Sequence, residues 1–197
     1  MKKSAVRERI LKVASRLFYE QGYNLTGINQ IIEEADIARA SLYNHFDSKT
    51  DLLLAYLKEA EDVWYKEMEE FTANFFDPKH KLLALFDFRM ERQNKRGFGG
   101  CQFIKISAEV SRQDLVVFDA VSHQKSRLKF FIDSIVGNLP QNNQVLSHTM
   151  LSDALFFLLE GATVSGSIYK NQESMLAAKA IAEKLLQDSF PQPAIKI

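Results

Sequence analysis

The stretch ARASLYNHFDSKTDL, Ala38 to Leu52, decides how this chain is read. It gathers Arg39, Ser41, Tyr43, Asn44, His45 and Lys49 around the apolar pair Leu42 and Phe46. Two apolar residues four positions apart lie on one helical face, so they can anchor a short helix from behind while its polar side chains point outward. That helix is expected over Arg39 to His45. Another short helix precedes it, Ile28 to Ala35, with Thr26 as N-cap and Ile28, Ile31 and Ile32 as the buried stripe. Asp36 makes the turn between them, because Asp tolerates left-handed backbone better than most residues. Two short helices joined by a tight turn fit a helix-turn-helix, whose second helix presents side chains to base edges in a major groove. Spacing alone also admits two short helices of a plain bundle.

Outward from this segment the periodicity stays helical. Ile10, Val13, Ala14, Leu17 and Phe18 define a first helix from about Ser4 to Glu20, closed by Gly22. Asp47 or Ser48 caps a long fourth helix toward Asn74, with Ser48 and Asp51 as a capping-box-like pair. Its apolar face carries Leu53, Tyr56, Leu57, Ala60, Trp64, Met68 and Phe71. After a break at Asp77-Pro78, further helices are expected over residues 79–94, 102–110, 114–136, 145–169 and 174–189. The RGFGGC loop (Arg96 to Cys101) and the break at residues 139–143 separate them, and the tail from Pro191 is expected to fray. With 197 residues, 46% hydrophobic, and only 8 Gly and 4 Pro, the chain can bury a core and is expected to be all-α, as one domain or two small ones.

The residue types in the opening stretch suit nucleic acid. Arg39 can take a guanine edge bidentately or bind a phosphate. Asn44 can do the same for adenine, Ser41 can donate or accept, and the Ala40 methyl can touch a thymine methyl. Tyr43, His45 and Lys49 suit phosphate oxygens, which fix register without reading sequence. Lys49 sits in the first turn of the fourth helix, where a cation opposes the helix dipole; a phosphate placed there would be attracted by both. Thr26 and Gly27 are placed to offer backbone amides to phosphate. The net charge is zero, but residues 1–16 hold six basic residues against one acidic, and residues 58–70 hold two basic against six acidic. Only the N-terminal part is then expected to meet a polyanion, unless both runs are simply solvated helix faces.

Other chemistries find little support. There is no HExxH, GxGxxG or Walker loop, and the four His are scattered. RGFGGC lacks the Lys and the preceding strand of a phosphate loop. A single cysteine, Cys101, allows no intramolecular disulfide and fits a reducing compartment. The basic N-terminus is interrupted by charges and does not read as a signal peptide, and no uninterrupted apolar run approaches the ~18 residues of a membrane span. A soluble cytoplasmic protein is expected, with no cofactor, no metal and no membrane partner.

The run TGINQIIEEADIARASLYNHFDSKTDLLLAYL resembles the DNA-binding segment of the TetR family of transcriptional regulators. Thr26, Ile31, Ala35, Ile37, Leu42, Tyr43, His45, Phe46, Ser48 and Lys49 match the family's pattern in order and spacing, and ERILKVASRLFYEQGY resembles its first helix. Asp36 stands where the family usually has Gly, Ala38 where Ser is common, and Ala40 where Gly is frequent, which bears on the bases read rather than on the fold. The resemblance implies a helix-turn-helix DNA-binding domain over residues 1–47, joined through the long fourth helix to a helical effector-binding and dimerising domain over residues 48–197. It implies a homodimer on a near-palindromic double-stranded DNA operator, expected to repress and to be released by a small, largely apolar effector. A ligand that fits one orientation of the fourth helix better would change the separation of the two heads.

The later helices offer faces for these roles. Leu151, Leu155, Leu158, Ala162, Ser165, Gly166 and Tyr169 share one face, and the last helix adds Ile181 and Leu185. A four-helix bundle, two helices from each subunit, is the expected interface; the same residues also suit an intrachain core. Trp64, Met68, Phe71, Phe86, Met90, Phe103, Phe118, Phe130 and Phe156 are candidates to line an effector cavity, with Cys101, His123 and Glu109 as polar handles; aromatics at this spacing also suit plain core. The rival readings are a helical protein-interaction module and a helical-bundle enzyme without DNA binding.

Overall fold

A computed structural model describes residues 4–139 and 146–189. The expectations for residues 140–145 and for the tail from Pro191 lie outside them. Among the described residues, nine helices follow one another and no strand occurs: α1 (Ala5–Glu20), α2 (Ile28–Glu34), α3 (Arg39–Tyr43), α4 (Lys49–Thr72), α5 (Pro78–Lys95), α6 (Gln102–Glu109), α7 (Leu115–Val136), α8 (His148–Tyr169) and α9 (Glu173–Ser189). The fold is all-α, as its periodicity implies.

Local chemistry sets the ends. Gly22, at φ +95°, takes the chain out of α1 in a conformation that L side chains rarely adopt. Asp36, at φ +48°, makes the α2–α3 turn. Ser48 caps α4: its Oγ accepts from the Asp51 amide at 3.0 Å and donates to the Asp51 carboxylate at 2.9 Å. The Asp77-Pro78 break is a helix start, with Asp77 accepting the His80 amide at 2.9 Å and Pro78 in the first turn. Thr26 does not cap α2. That position is held by Gly27, and the Thr26 hydroxyl instead donates to the Gly22 carbonyl at 2.6 Å.

The described chain divides into two compact units. Residues up to Tyr65 and Cys101–Gln124 form the first; Lys66–Gly100 and residues from Lys125 onward form the second. The boundary expected after residue 47 therefore falls inside the first unit. The reason is burial: Leu52, Leu53, Tyr56 and Leu57 of α4, Phe103 and Ile106 of α6, and Val117 and Val121 of α7 share one core with Ile10, Leu17, Phe18, Ile31, Leu42 and Phe46. Phe18 makes edge contacts with Tyr23 at 5.3 Å and Tyr56 at 5.7 Å between ring centroids; such pairs add about 0.5–1.5 kcal/mol beyond the area they bury.

In the second unit α8 packs on α9, and α5 on both. Leu82, Phe86, Leu128, Ile132, Leu151, Leu155, Leu159, Met175, Ala182 and Leu186 are buried there. A polar seam runs through that core: Glu160 on α8 pairs with Arg89 at 3.2 Å and with Lys125, and the Gln93 amide donates to the Thr163 carbonyl at 2.8 Å. Buried charges are tolerated when they are paired in this way.

Candidate functional site

The short helix α3 has five residues and could not hold its shape alone. It is fastened by Leu42, 0% exposed, and Phe46, 4% exposed. With those two inward, Ala38, Arg39, Ala40, Tyr43 and Asn44 are exposed, and Ser41 and His45 are half-buried at the edges of the same face. Polar groups of the types that read base edges therefore face solvent. The His45 Nε2 lies 3.5 Å from the Ser4 hydroxyl. Arg39 donates through one guanidinium nitrogen to the Asn29 side-chain oxygen Oδ1 on α2. Asn29 was missed in the sequence, because an exposed Asn in a helix carries no signal until its neighbour across the turn is known.

The rest of the expected interface is mixed. Gly27 is exposed, and a Cβ placed on it would meet open space. Thr26 is fully buried; its hydroxyl is engaged with Gly22 and Gln21 and its amide with the Tyr23 carbonyl, so it has nothing to offer a phosphate. Lys49 is half-buried. Its ammonium donates to the Tyr23 carbonyl at 2.7 Å and lies 4.2 Å from the Tyr23 ring centroid. Burial pushes its pKa below the ordinary lysine value, and the charge of Glu109 opposes that shift. Part of the basic run on α1 is engaged within the protein: Arg16 pairs with Glu20 and Glu34, and Arg9 donates to the Asp36 backbone carbonyl at 2.9 Å.

The residues expected at a dimer face fall into two groups. Leu151, Leu155 and Gly166 point into their own unit and are buried. The solvent-facing side of α8 instead carries Met150, Phe157, Gly161, Val164 and Ile168, with Tyr169 exposed at its end. Leu158, Ala162, Ser165, Ile181 and Leu185 line a groove of about 500 Å³ between α8 and α9, together with Phe157, Gly161 and Ala177. By length and composition α8 is apolar enough to cross a membrane, with a mean hydropathy of 1.2. One side of it is core, and the other is an unpartnered apolar surface.

The residues expected to line an effector cavity divide between the units. Trp64, Cys101 and Phe103 are buried in the first, where Phe118 is half-buried; Met68 and Phe86 are buried in the second, where Phe71, Met90 and Phe156 are half-buried. Phe130 is 72% exposed and lines no interior. In the second unit Phe71 and Phe88 floor a cleft of about 290 Å³, rimmed by Glu67, Glu70, Glu91, Arg92, Lys95 and Arg96. That cleft is charged rather than apolar. His123 lies 3.3 Å from the buried Glu61 carboxylate.

Comparison with known proteins places these features. Residues 10–56 match the family model described as bacterial regulatory proteins, tetR family. A helix-turn-helix regulator encoded in the lacX 3′ region of Lactococcus lactis is 23% identical over 152 residues, 74% of this chain and 78% of that protein. The transcriptional repressor KstR2 of Mycolicibacterium smegmatis is 28% identical over 129 residues, 64% of this chain and 62% of that protein, so the match spans less than two thirds of KstR2. A TetR-family transcriptional regulator from Streptomyces coelicolor has a similar structure, with a TM-score of 0.84 and 25% identity over 93% of this chain and 95% of that one. A reading head matched in sequence and a fold matched over nearly its whole length support kinship with the tetR family of bacterial regulatory proteins, and with it DNA binding by a helix-turn-helix and regulation of transcription.

Proposed function

We propose that this protein is a repressor that binds a near-palindromic operator as a homodimer and is released by a small effector. The observation that carries the DNA half is the outward polar face of α3 above its Leu42 and Phe46 anchors. Arg39, Ala40, Ser41 and Asn44 read bases, with Asn29 orienting the Arg39 guanidinium. An arginine already held on one edge loses less freedom when it binds guanine O6 and N7. Tyr43, His45, Gly27 and Lys49 position the phosphate backbone; two of the three Lys49 ammonium protons remain after the Tyr23 contact.

Dimerisation is assigned to the outer faces of α8 and α9, where exposed Phe157 and Ile181 flank a groove that a second copy can fill. Two heads in successive major grooves would then sit about 34–36 Å apart, or a multiple of that. Repression is supported by the name of the KstR2 relative, and release by a small effector by the habit of the family.

Selection of duplexes from a random pool, followed by titration at two salt concentrations, tests this reading. Enrichment of an inverted repeat is the expected result, and an unenriched pool would reject it. Arg39→Ala is expected to relax preference at one base pair per half-site, a loss of about 1–3 kcal/mol of discrimination. Lys49→Ala is expected to weaken all duplexes alike and to lower the salt slope by about one unit. An unchanged salt slope would remove Lys49 from the phosphate contacts.

A further inference from the structure

The connection between α1 and α2, Gln21 to Gly27, carries the exposed residues Asn24, Leu25 and Gly27, yet it is gripped from a distant part of the chain. At the end of α6, the Glu109 carboxylate accepts the Asn24 backbone amide at 2.9 Å. The Asn24 side-chain amide returns a bond to the Glu109 carbonyl at 2.7 Å. A Cβ built on Gly22 would lie 2.9 Å from the same carboxylate and push it aside, and the φ of +95° itself favours glycine here. One turn earlier on α6, the Lys105 ammonium donates to the Tyr19 carbonyl at 2.6 Å and sits 5.0 Å from the Tyr19 ring. Lys49, at the start of α4, holds the Tyr23 carbonyl. The connection is thus fixed by two helices, α4 and α6, through charged groups bonded to backbone.

We propose that Glu109 is a positioning residue for DNA binding, which fixes the connection between α1 and α2 by clamping Asn24. Glu109 touches no DNA. It acts through Asn24, whose fixed backbone leads within three residues into Gly27 and α2, and so to the Asn29 that holds Arg39. The bond from the Asn24 amide to the charged Glu109 carboxylate is among the stronger ones a surface can make, and the second, neutral bond between the two residues fixes its direction as well as its distance. The proposal rests on the DNA-binding reading above and gives it an entry point that touches neither α3 nor the duplex.

The experiment uses the full-length protein and the selected duplex. Glu109→Ala is expected to lower operator affinity by about tenfold with no change in salt slope, since no phosphate contact is lost. Hydrogen exchange at Asn24 is expected to accelerate by a similar factor. Glu109→Gln keeps a carbonyl acceptor for the Asn24 amide and is expected to stay within about threefold of the parent in both measurements. Thermal unfolding followed by circular dichroism separates a loosened connection from a failure to fold. Operator binding unchanged or tightened in a folded Glu109→Ala protein overturns the proposal, as does a Glu109→Gln protein no better than the alanine one. A parent protein that binds no duplex, yet shows the same exchange pattern at Asn24, would instead reject the DNA-binding reading while leaving the clamp in place.

Discussion

Replacing Phe157 by glutamate is expected to turn the dimer into monomers and to lower operator affinity by more than about 100-fold. Phe157 is 66% exposed in the single chain and lines the groove between α8 and α9. In the proposed dimer this ring packs against the second copy. A carboxylate there must be desolvated with no partner, which costs several kcal/mol in each of two symmetry-related positions. A standard interface buries about 800 Å² per partner, and central aromatic side chains carry much of its energy. Once the dimer is lost, the second half-site no longer profits from the first, so the loss of DNA affinity exceeds what any one base contact supplies. Sedimentation velocity across a concentration series measures the first effect and fluorescence anisotropy with the selected duplex the second. A Phe157→Glu protein that remains dimeric would reject this face as the interface.

Leu42→Ala is the second large effect, and it acts on stability. The side chain is 0% exposed, in the core shared by α1, α2, α3 and α4. Truncating a buried leucine costs about 2–5 kcal/mol, the lost transfer energy plus the cavity left behind. A domain holds only about 5–15 kcal/mol in total, so the reading head would be brought close to unfolding. The effect on α3 is greater still, because a five-residue helix keeps its conformation only through Leu42 and Phe46. Urea unfolding is expected to show the lower midpoint. Leu42→Met, which keeps the volume, is expected to lose less than about 1.5 kcal/mol and to bind the selected duplex as the parent does. Equal stability of the alanine and parent proteins would mean that α3 is anchored by something other than its leucine.

The sequence made α1, α2, α3 and the start of α4 legible because each element there carries its own local signal. Ile10, Ala14, Leu17 and Phe18 repeat at helical spacing, Asp36 accepts a left-handed turn, and Ser48 and Asp51 cap within three residues. The outer face of α8 was not legible. That helix is apolar on every side, with Leu151, Leu155 and Leu159 buried and Phe157, Val164 and Ile168 exposed, so no moment distinguishes core from contact. Thr26 reads as a cap because a threonine before an apolar run usually is one; here the hydroxyl found the nearer Gly22 carbonyl. The Glu109–Asn24 and Lys105–Tyr19 bonds join residues 85 and 86 positions apart, and nothing in either local stretch announces its partner.

Because the core around Leu42 is closed by Phe103, Ile106, Val117 and Val121, the head is not a portable cassette at the start of the chain. A fragment ending at Tyr65 would lack that lid and expose leucine and phenylalanine to water. Chimeras that graft this DNA specificity onto another regulator should therefore carry residues 101–124 along with the first 65, or replace both segments with a matched pair from the recipient. A transferable reading head would here comprise two separated stretches of sequence rather than one.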